Sequence, residues 1–463
     1  MLQELAEKLF KERLESQVKI PQIEKRQPVH VVYGGANLFK ADTPEKLGKI
    51  ALKSIETYAP NFVEFAKAMG FLHTKSLDES LIETAEDEEK IKNAGFDTWL
   101  AWSVYHRTIE KLRNEPVEDF RIDFEDGYGF RTNDEEDLHA RTASEELAKN
   151  VSSGKALPFC GLRIKSFAPE TFKRAVRTLE IFLQNFAEKT DSFKNFKSIS
   201  ENFVVTLPKI TSYREVEVLA KLLEVFERES SLPIGTLKIE IMIETPQSIL
   251  NEDGKIVLQD LVKAGEGRVV SAHFGAFDYT ASFGISGIYQ HLQHDSCNLA
   301  RQLMQLALAR LGIRLSDSVT IEMPIPIHKG ENLSAKQIEE NKLVVHQAWR
   351  KHFENVTFSL SNGFYQSWDL HPAQLVARYA ALYSFFLSAK DEQAKRLKNF
   401  IEKATQASLT GNIFDDAASV IGIINFFRKA KNCGALSEEE ISQATGLRFD
   451  ELSSASFLKL PEN

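Results

Sequence analysis

Charges set inside strand patterns are the residues of this sequence that could do chemistry. In DFRIDFEDGYG, period-two alternation puts Arg121, Asp123 and Glu125 on one face. Phe120, Ile122 and Phe124 take the other face. GLRIKS repeats the pattern with Arg163 and Lys165, and LKIEIMIET with Glu240 and Glu244. Another run ends at Lys209 in LPK, and Asp278 follows HFGAF. Buried charges are costly unless they are paired or hold a metal. Glu244 and Asp278 stand about one strand–helix unit apart, so they could converge on one cation. Two carboxylates with open water or substrate positions suit Mg²⁺. For Arg121, Asp123, Lys165 and Glu240, the competing reading is a structural ion-pair network without chemistry.

These charges need a frame in which one strand face points inward. Eight strand candidates fall at 30–34, 119–125, 160–165, 203–209, 237–244, 269–275, 319–325 and 364–370. Helical periodicity fills most gaps, as in 169–189 and 212–229. In 298–311, Leu299, Leu303 and Leu306 share one face. Strand–helix alternation implies parallel pairing through crossover helices. Eight units predict a (β/α)₈ TIM barrel, with an open doubly wound sheet as the alternative. In a barrel the apolar strand faces pack outward on helices, and the charged faces point inward.

Two stretches exceed simple connections. Residues 39–116 read as a helical insertion after strand one, expected to cover or reshape the barrel mouth. Residues 376–463 read as a helical C-terminal extension. Ser437 and Glu440 make a capping box for a helix at 438–445, and Gly446 suits its end. Residues 1–29 precede the barrel, and Leu2, Leu5, Leu9 and Leu14 there predict an amphipathic helix. The barrel domain itself spans 30–375.

Composition narrows the classes. The chain is 43% hydrophobic and 27% charged, enough to bury a full core. Its 57 Lys and Arg against 66 Asp and Glu argue against a general nucleic-acid-binding role. No apolar run is long enough to span a membrane. Three widely spaced cysteines, Cys160, Cys297 and Cys433, suggest reduced thiols and a cytoplasmic protein.

Taken in order, the motifs resemble the citrate lyase beta-subunit-like group of metal-dependent 2-keto-acid aldolases. That group belongs to the phosphoenolpyruvate/pyruvate-binding TIM-barrel superfamily. The pieces are Asp123-Phe124-Glu125-Asp126, Leu162-Arg163-Ile164, Leu207-Pro208-Lys209 and Ile243-Glu244-Thr245. Phe274-Gly275 with Asp278 follows, then Trp368-Asp369-Leu370-His371-Pro372-Ala373-Gln374. The resemblance implies Glu244 and Asp278 as ligands of Mg²⁺, with Mn²⁺ as a substitute. It implies Arg163 as the cation on a substrate keto or enolate oxygen. Asp126 would be an acid/base group, although a turn-forming Asp is an equal reading. Glu125 is a second catalytic candidate. Backbone N–H groups from Gly275, Ala276 and Phe277 would bind a carboxylate, and Lys209 is a further substrate-binding candidate that also reads as an interior partner for Asp123 or Glu125. The implied partners are a small carboxylate substrate and further copies of the chain, with neither nucleic acid nor membrane. Neither the insertion nor the extension has a counterpart in compact relatives, and no coenzyme A site is legible.

The remaining candidates are read as structural. His273 is expected as a hydrogen-bonded core histidine, and His371 as ordering the end of strand eight. His291 and His294 lack a third metal ligand. Gly34-Gly35 reads as a rim turn, with Asn37 and Lys40 as pocket residues. The expected activity is a Mg²⁺-dependent carbon–carbon lyase or aldolase on a small 2-keto or 3-hydroxy acid. The alternatives are a thioester hydrolase or phosphoenolpyruvate-using enzyme on the same barrel, and a non-catalytic binding or assembly subunit.

Overall fold

The computed structural model describes residues 26–70, 88–154, 156–189, 202–402 and 417–454. It also describes Glu7, Leu77, 79–82, 408–410 and 413–415. Eight parallel strands close into a barrel in sequence order, and the last pairs with the first. They are β1 (His30–Gly35), β2 (Asp119–Asp123), β3 (Phe159–Arg163), β4 (Phe203–Leu207), β5 (Lys238–Ile243), β6 (Val269–Phe274), β7 (Arg314–Val319) and β8 (Gln366–Asp369). The architecture is the expected TIM barrel. Outward residues such as Ile122, Leu162, Val205 and Ile241 merge with the helices into one core. The expected N-terminal amphipathic helix, apart from Glu7, lies outside the described residues.

The seventh strand corrects the sequence reading. It runs over Arg314–Val319, and the apolar run expected at 319–325 is mostly a loop. Polar residues hide the strand. Asp317, on the outer face, binds Arg301 at 2.9 Å, and Ser318 receives the Ala276 N–H at 3.0 Å. The helix Asp295–Leu308 carries a second correction. Leu299 and Leu306 face solvent, whereas Cys297, Ala300, Met304 and Leu308 pack inward.

The described helices between β1 and β2 pack on the flank of the barrel. Phe96–Asn114 lies along Gln374–Glu402, and Phe62–Met69 lies against Ala335–Ser361. Those partner helices precede and follow β8, so both added regions thicken one side. Arg107 joins them by an ion pair to Glu440 and a 3.1 Å bond to the Ala435 carbonyl. Glu438–Thr445 forms as its cap predicts. Ser437 and Glu440 close the capping box, and Gly446 ends the helix at φ +77°.

Candidate active site

Beneath the mouth, the barrel interior is sealed by a polar network. The Arg121 guanidinium bonds Glu240 at 2.7 and 3.0 Å and also grips Asp119. Thr206 and Ser271 donate to Glu240 at 2.8 and 2.7 Å. Arg121, Asp119 and Glu240 are all buried. Burial alone would raise the Glu240 pKa, but Arg121 and then His273 hold it well below the usual carboxylate range. His273 is a core residue, as expected. Its Nε2 lies 2.8 Å from Glu240, off the line of a hydrogen bond, and its Nδ1 lies 3.1 Å from the Tyr33 hydroxyl.

Above this seal, Arg163 ends β3 at the barrel mouth. Its Nε and Nη2 bond both oxygens of Asp123 at 2.7 and 2.6 Å, a bidentate clamp. Nη1 stands 3.2 Å from Glu125 and 3.9 Å from Asp126. Asp123 also accepts the backbone N–H groups of Glu125 and Gly127, at 3.0 and 2.7 Å. It therefore shapes the turn that presents Glu125 and Asp126. Lys209 caps that turn, with Nζ on Glu125 and 3.0 Å from Asp126. Burial raises the Glu125 pKa despite these cations. Burial would also raise Asp126, but its hydrogen bond with Glu125 and the charges of Arg163 and Lys209 bring it below the usual range.

Glu244 stands opposite. Its side chain is buried, and one oxygen accepts the Lys209 backbone N–H at 2.6 Å. Lys209 adopts φ +50° there, a left-handed conformation uncommon for a residue with a Cβ. Burial, and then the nearby Asp278 charge, push Glu244 up to about 8. A Cβ at Gly275 would lie 2.7 Å from the second Glu244 oxygen, so the glycine keeps that side open. Asp278 is exposed in the first turn of the short helix Ala276–Ala281. At the mouth Asp123, Glu125, Asp126, Glu244 and Asp278 thus face two cations, Arg163 and Lys209. That surplus of carboxylate oxygens fits a hard divalent cation held by Glu244 and Asp278. Among the described residues, no group of three His, Cys, Asp or Glu could hold a metal. Water or substrate would therefore complete the shell.

The barrel brings Glu125, Asp126, Arg163, Lys209, Glu244 and Asp278 to one end. Three expectations change. Lys165 does not enter the barrel, because β3 ends at Arg163 and alternation stops there. Its Nζ bonds the Phe124 carbonyl at 2.6 Å and Glu136 at 2.9 Å. Gly275 and Ala276 are not free carboxylate donors. Their N–H groups bond the Ile243 carbonyl and Ser318 Oγ, each at 3.0 Å. Lys209 takes the expected partner role on Glu125, and also holds Asp126, so it does not stand free to bind substrate. His371 orders the end of β8, where its Nδ1 accepts the Ala373 N–H at 3.2 Å.

Sequence reasoning missed two groups. Tyr33 and Trp368 stack at 4.4 Å, and the Arg163 guanidinium lies 4.7 Å over the Tyr33 ring. Aromatic residues at inward positions near the ends of β1 and β8 were the available signal. Asp369 is the second omission. It is buried between His30, His352 and Arg378, each within 2.8 Å of a carboxylate oxygen. His30 Nε2 accepts the Glu118 N–H, so its Nδ1 carries the proton toward Asp369.

A family model described as a domain of unknown function (DUF6986) matches residues 15–460. No curated protein matches the chain. Among solved structures, a citrate lyase from Burkholderia xenovorans LB400 superposes with TM-score 0.51 and 16% identity, covering 73% of this chain and 91% of that one. CitE from Mycobacterium tuberculosis, in complex with magnesium, acetoacetate and coenzyme A, gives 0.45 and 16%, covering 72% and 95%. The magnesium/glyoxylate complex of Haloferax volcanii malate synthase gives 0.43 and 12%, covering 93% and 94%. The first likeness supports the fold.

Proposed function

The chain belongs to the DUF6986 family, and we propose that its barrel mouth is the active site of a divalent-cation-dependent carbon–carbon lyase or condensing enzyme. Its substrate class is a small 2-keto or 3-hydroxy acid. The observation that carries this reading is the surplus of carboxylates beside Arg163, with Glu244 raised to about 8 beside Asp278. Charges this crowded are stable only with a cation or with protons.

Glu244 and Asp278 would hold Mg²⁺, with Mn²⁺ as a substitute. The cation would supply Lewis-acid stabilisation of charge developing on a carbonyl oxygen. Arg163 offers Nη1 to the same oxygen from a guanidinium already fixed by Asp123. Asp126 is half-exposed and kept ionised by its neighbours, so it is the proton acceptor for a substrate hydroxyl. Glu125 and Lys209 hold Asp126 in place. Further copies of this chain are the proposed macromolecular partners. The three cysteines are buried and unpaired, and no described helix is long and apolar enough to cross a membrane.

Calorimetric binding of oxalate, a planar mimic of the pyruvate enolate, tests the reading. Wild type binds oxalate when Mg²⁺ is present, and Glu244→Gln does not. Absence of binding from folded wild-type protein in every condition overturns it.

A further inference from the structure

We propose that Tyr33 is the positioning residue for Arg163, linking the sealed network below to the ligand-binding cation above. The inference rests on the proposed function of the mouth. Arg163 has one edge clamped by Asp123, which fixes the guanidinium within its plane but leaves a hinge about that edge. The faces must be held by something else. Tyr33 lies 4.7 Å beneath the guanidinium carbon, and Trp368 lies 5.9 Å away. The two rings are stacked at 22°. Aromatic faces attract a guanidinium and prefer it parallel or centred, so the stack resists tilting.

Tyr33 is itself anchored. Its hydroxyl lies 3.1 Å from His273 Nδ1 and 3.4 Å from Glu240, and both partners are buried. Glu240 is in turn fixed by Arg121, Thr206 and Ser271. The ring therefore cannot slide without breaking a network that closes the barrel. Trp368 adds a second point. It is 9% exposed, and its indole N–H has no acceptor among the described residues. A phenyl ring would avoid that unsatisfied donor. The indole is the stronger cation-binding face, which fits a role in holding Arg163.

The test is a mutant cycle read by calorimetric titration of oxalate into Mg²⁺-loaded protein. Tyr33→Phe keeps the ring but loses its hydroxyl anchor, and binds about threefold more weakly than wild type. Tyr33→Leu removes the face and binds about tenfold more weakly. In the background of Arg163→Lys, which cannot use the stack in the same way, adding Tyr33→Leu costs less than about twofold more. A structural role would instead let the two losses multiply. Trp368→Leu, made alone and with Arg163→Lys, carries the same comparison should Tyr33→Leu not fold. Multiplying losses, or wild-type affinity in both leucine variants, overturns the role of Tyr33 and leaves the lyase reading standing. Wild-type protein that fails to bind oxalate overturns both.

Discussion

Two charge clusters share this barrel, and they differ in whether their charges balance. Inside, Asp119 and Glu240 face Arg121 and Arg314, and hydroxyls from Thr206 and Ser271 fill further acceptor positions. At the mouth, five carboxylates face Arg163 and Lys209, and Glu244 makes no ion pair among the described residues. Both clusters come from alternating charges on the same strands. Burial with balance makes the first an architectural seal. Surplus charge at the open end makes the second a site that requires a cation or protons. A strongly perturbed group therefore locates function only when its partners are incomplete.

Breaking the balanced cluster has the largest expected effect. Arg121→Met leaves Asp119 and Glu240 buried without their main cation and lowers stability by about 3–5 kcal/mol in urea unfolding. A loss below about 1 kcal/mol would show that the network does not carry the fold.

Glu244 gives the opposite sign. Its folded pKa, about 8, lies above its ordinary value of 4.5. The folded state then binds the proton more tightly, so stability falls as pH rises between those values. In EDTA, the Tm of wild type drops across that window, and Mg²⁺ restores it. Glu244→Gln flattens the profile and raises Tm at pH 8 by roughly 5 °C without metal. A parallel decline in both proteins would place the titration elsewhere.

Much of this was legible because barrel strands obey period two. The inward charges of β2, β3 and β5 follow from alternation alone, whereas the expected ends of β2, β3 and β4 each run two residues past the observed ones. Failures came where side-chain partners replace the apolar signal. Asp317 is buried on the outer face of β7 because Arg301 pairs with it, so the strand looks like a loop. The strand β8 was legible, but the partners that bury Asp369, namely Arg378 and two histidines, were not. Lys165 misled because alternation says nothing about where a strand stops. The occupied N–H groups of Gly275 and Ala276 depend on Ser318 and Ile243, which are distant or invisible in a local window.

Smaller effects sharpen the mouth. Lys209→Met frees Glu125 and Asp126 from their shared cation, and oxalate affinity falls roughly threefold. Stability changes by less than about 1 kcal/mol, since the lysine is partly exposed. An effect on folding larger than that on binding would move Lys209 into the structural cluster. Asp126→Asn is expected to change stability least, within about 0.5 kcal/mol, because its side chain is 58% exposed. Turnover of any substrate found should nonetheless drop at least about a hundredfold. Unchanged turnover would remove Asp126 as the proton acceptor.

The most direct test is Mn²⁺ binding followed by electron paramagnetic resonance at pH 8, on wild type, Glu244→Gln and Arg121→Met kept below its unfolding temperature. Wild type and Arg121→Met should bind one Mn²⁺ that Mg²⁺ displaces, and Glu244→Gln should bind none. Equal binding by wild type and Glu244→Gln would contradict the claim that unbalanced charge at the mouth marks the site.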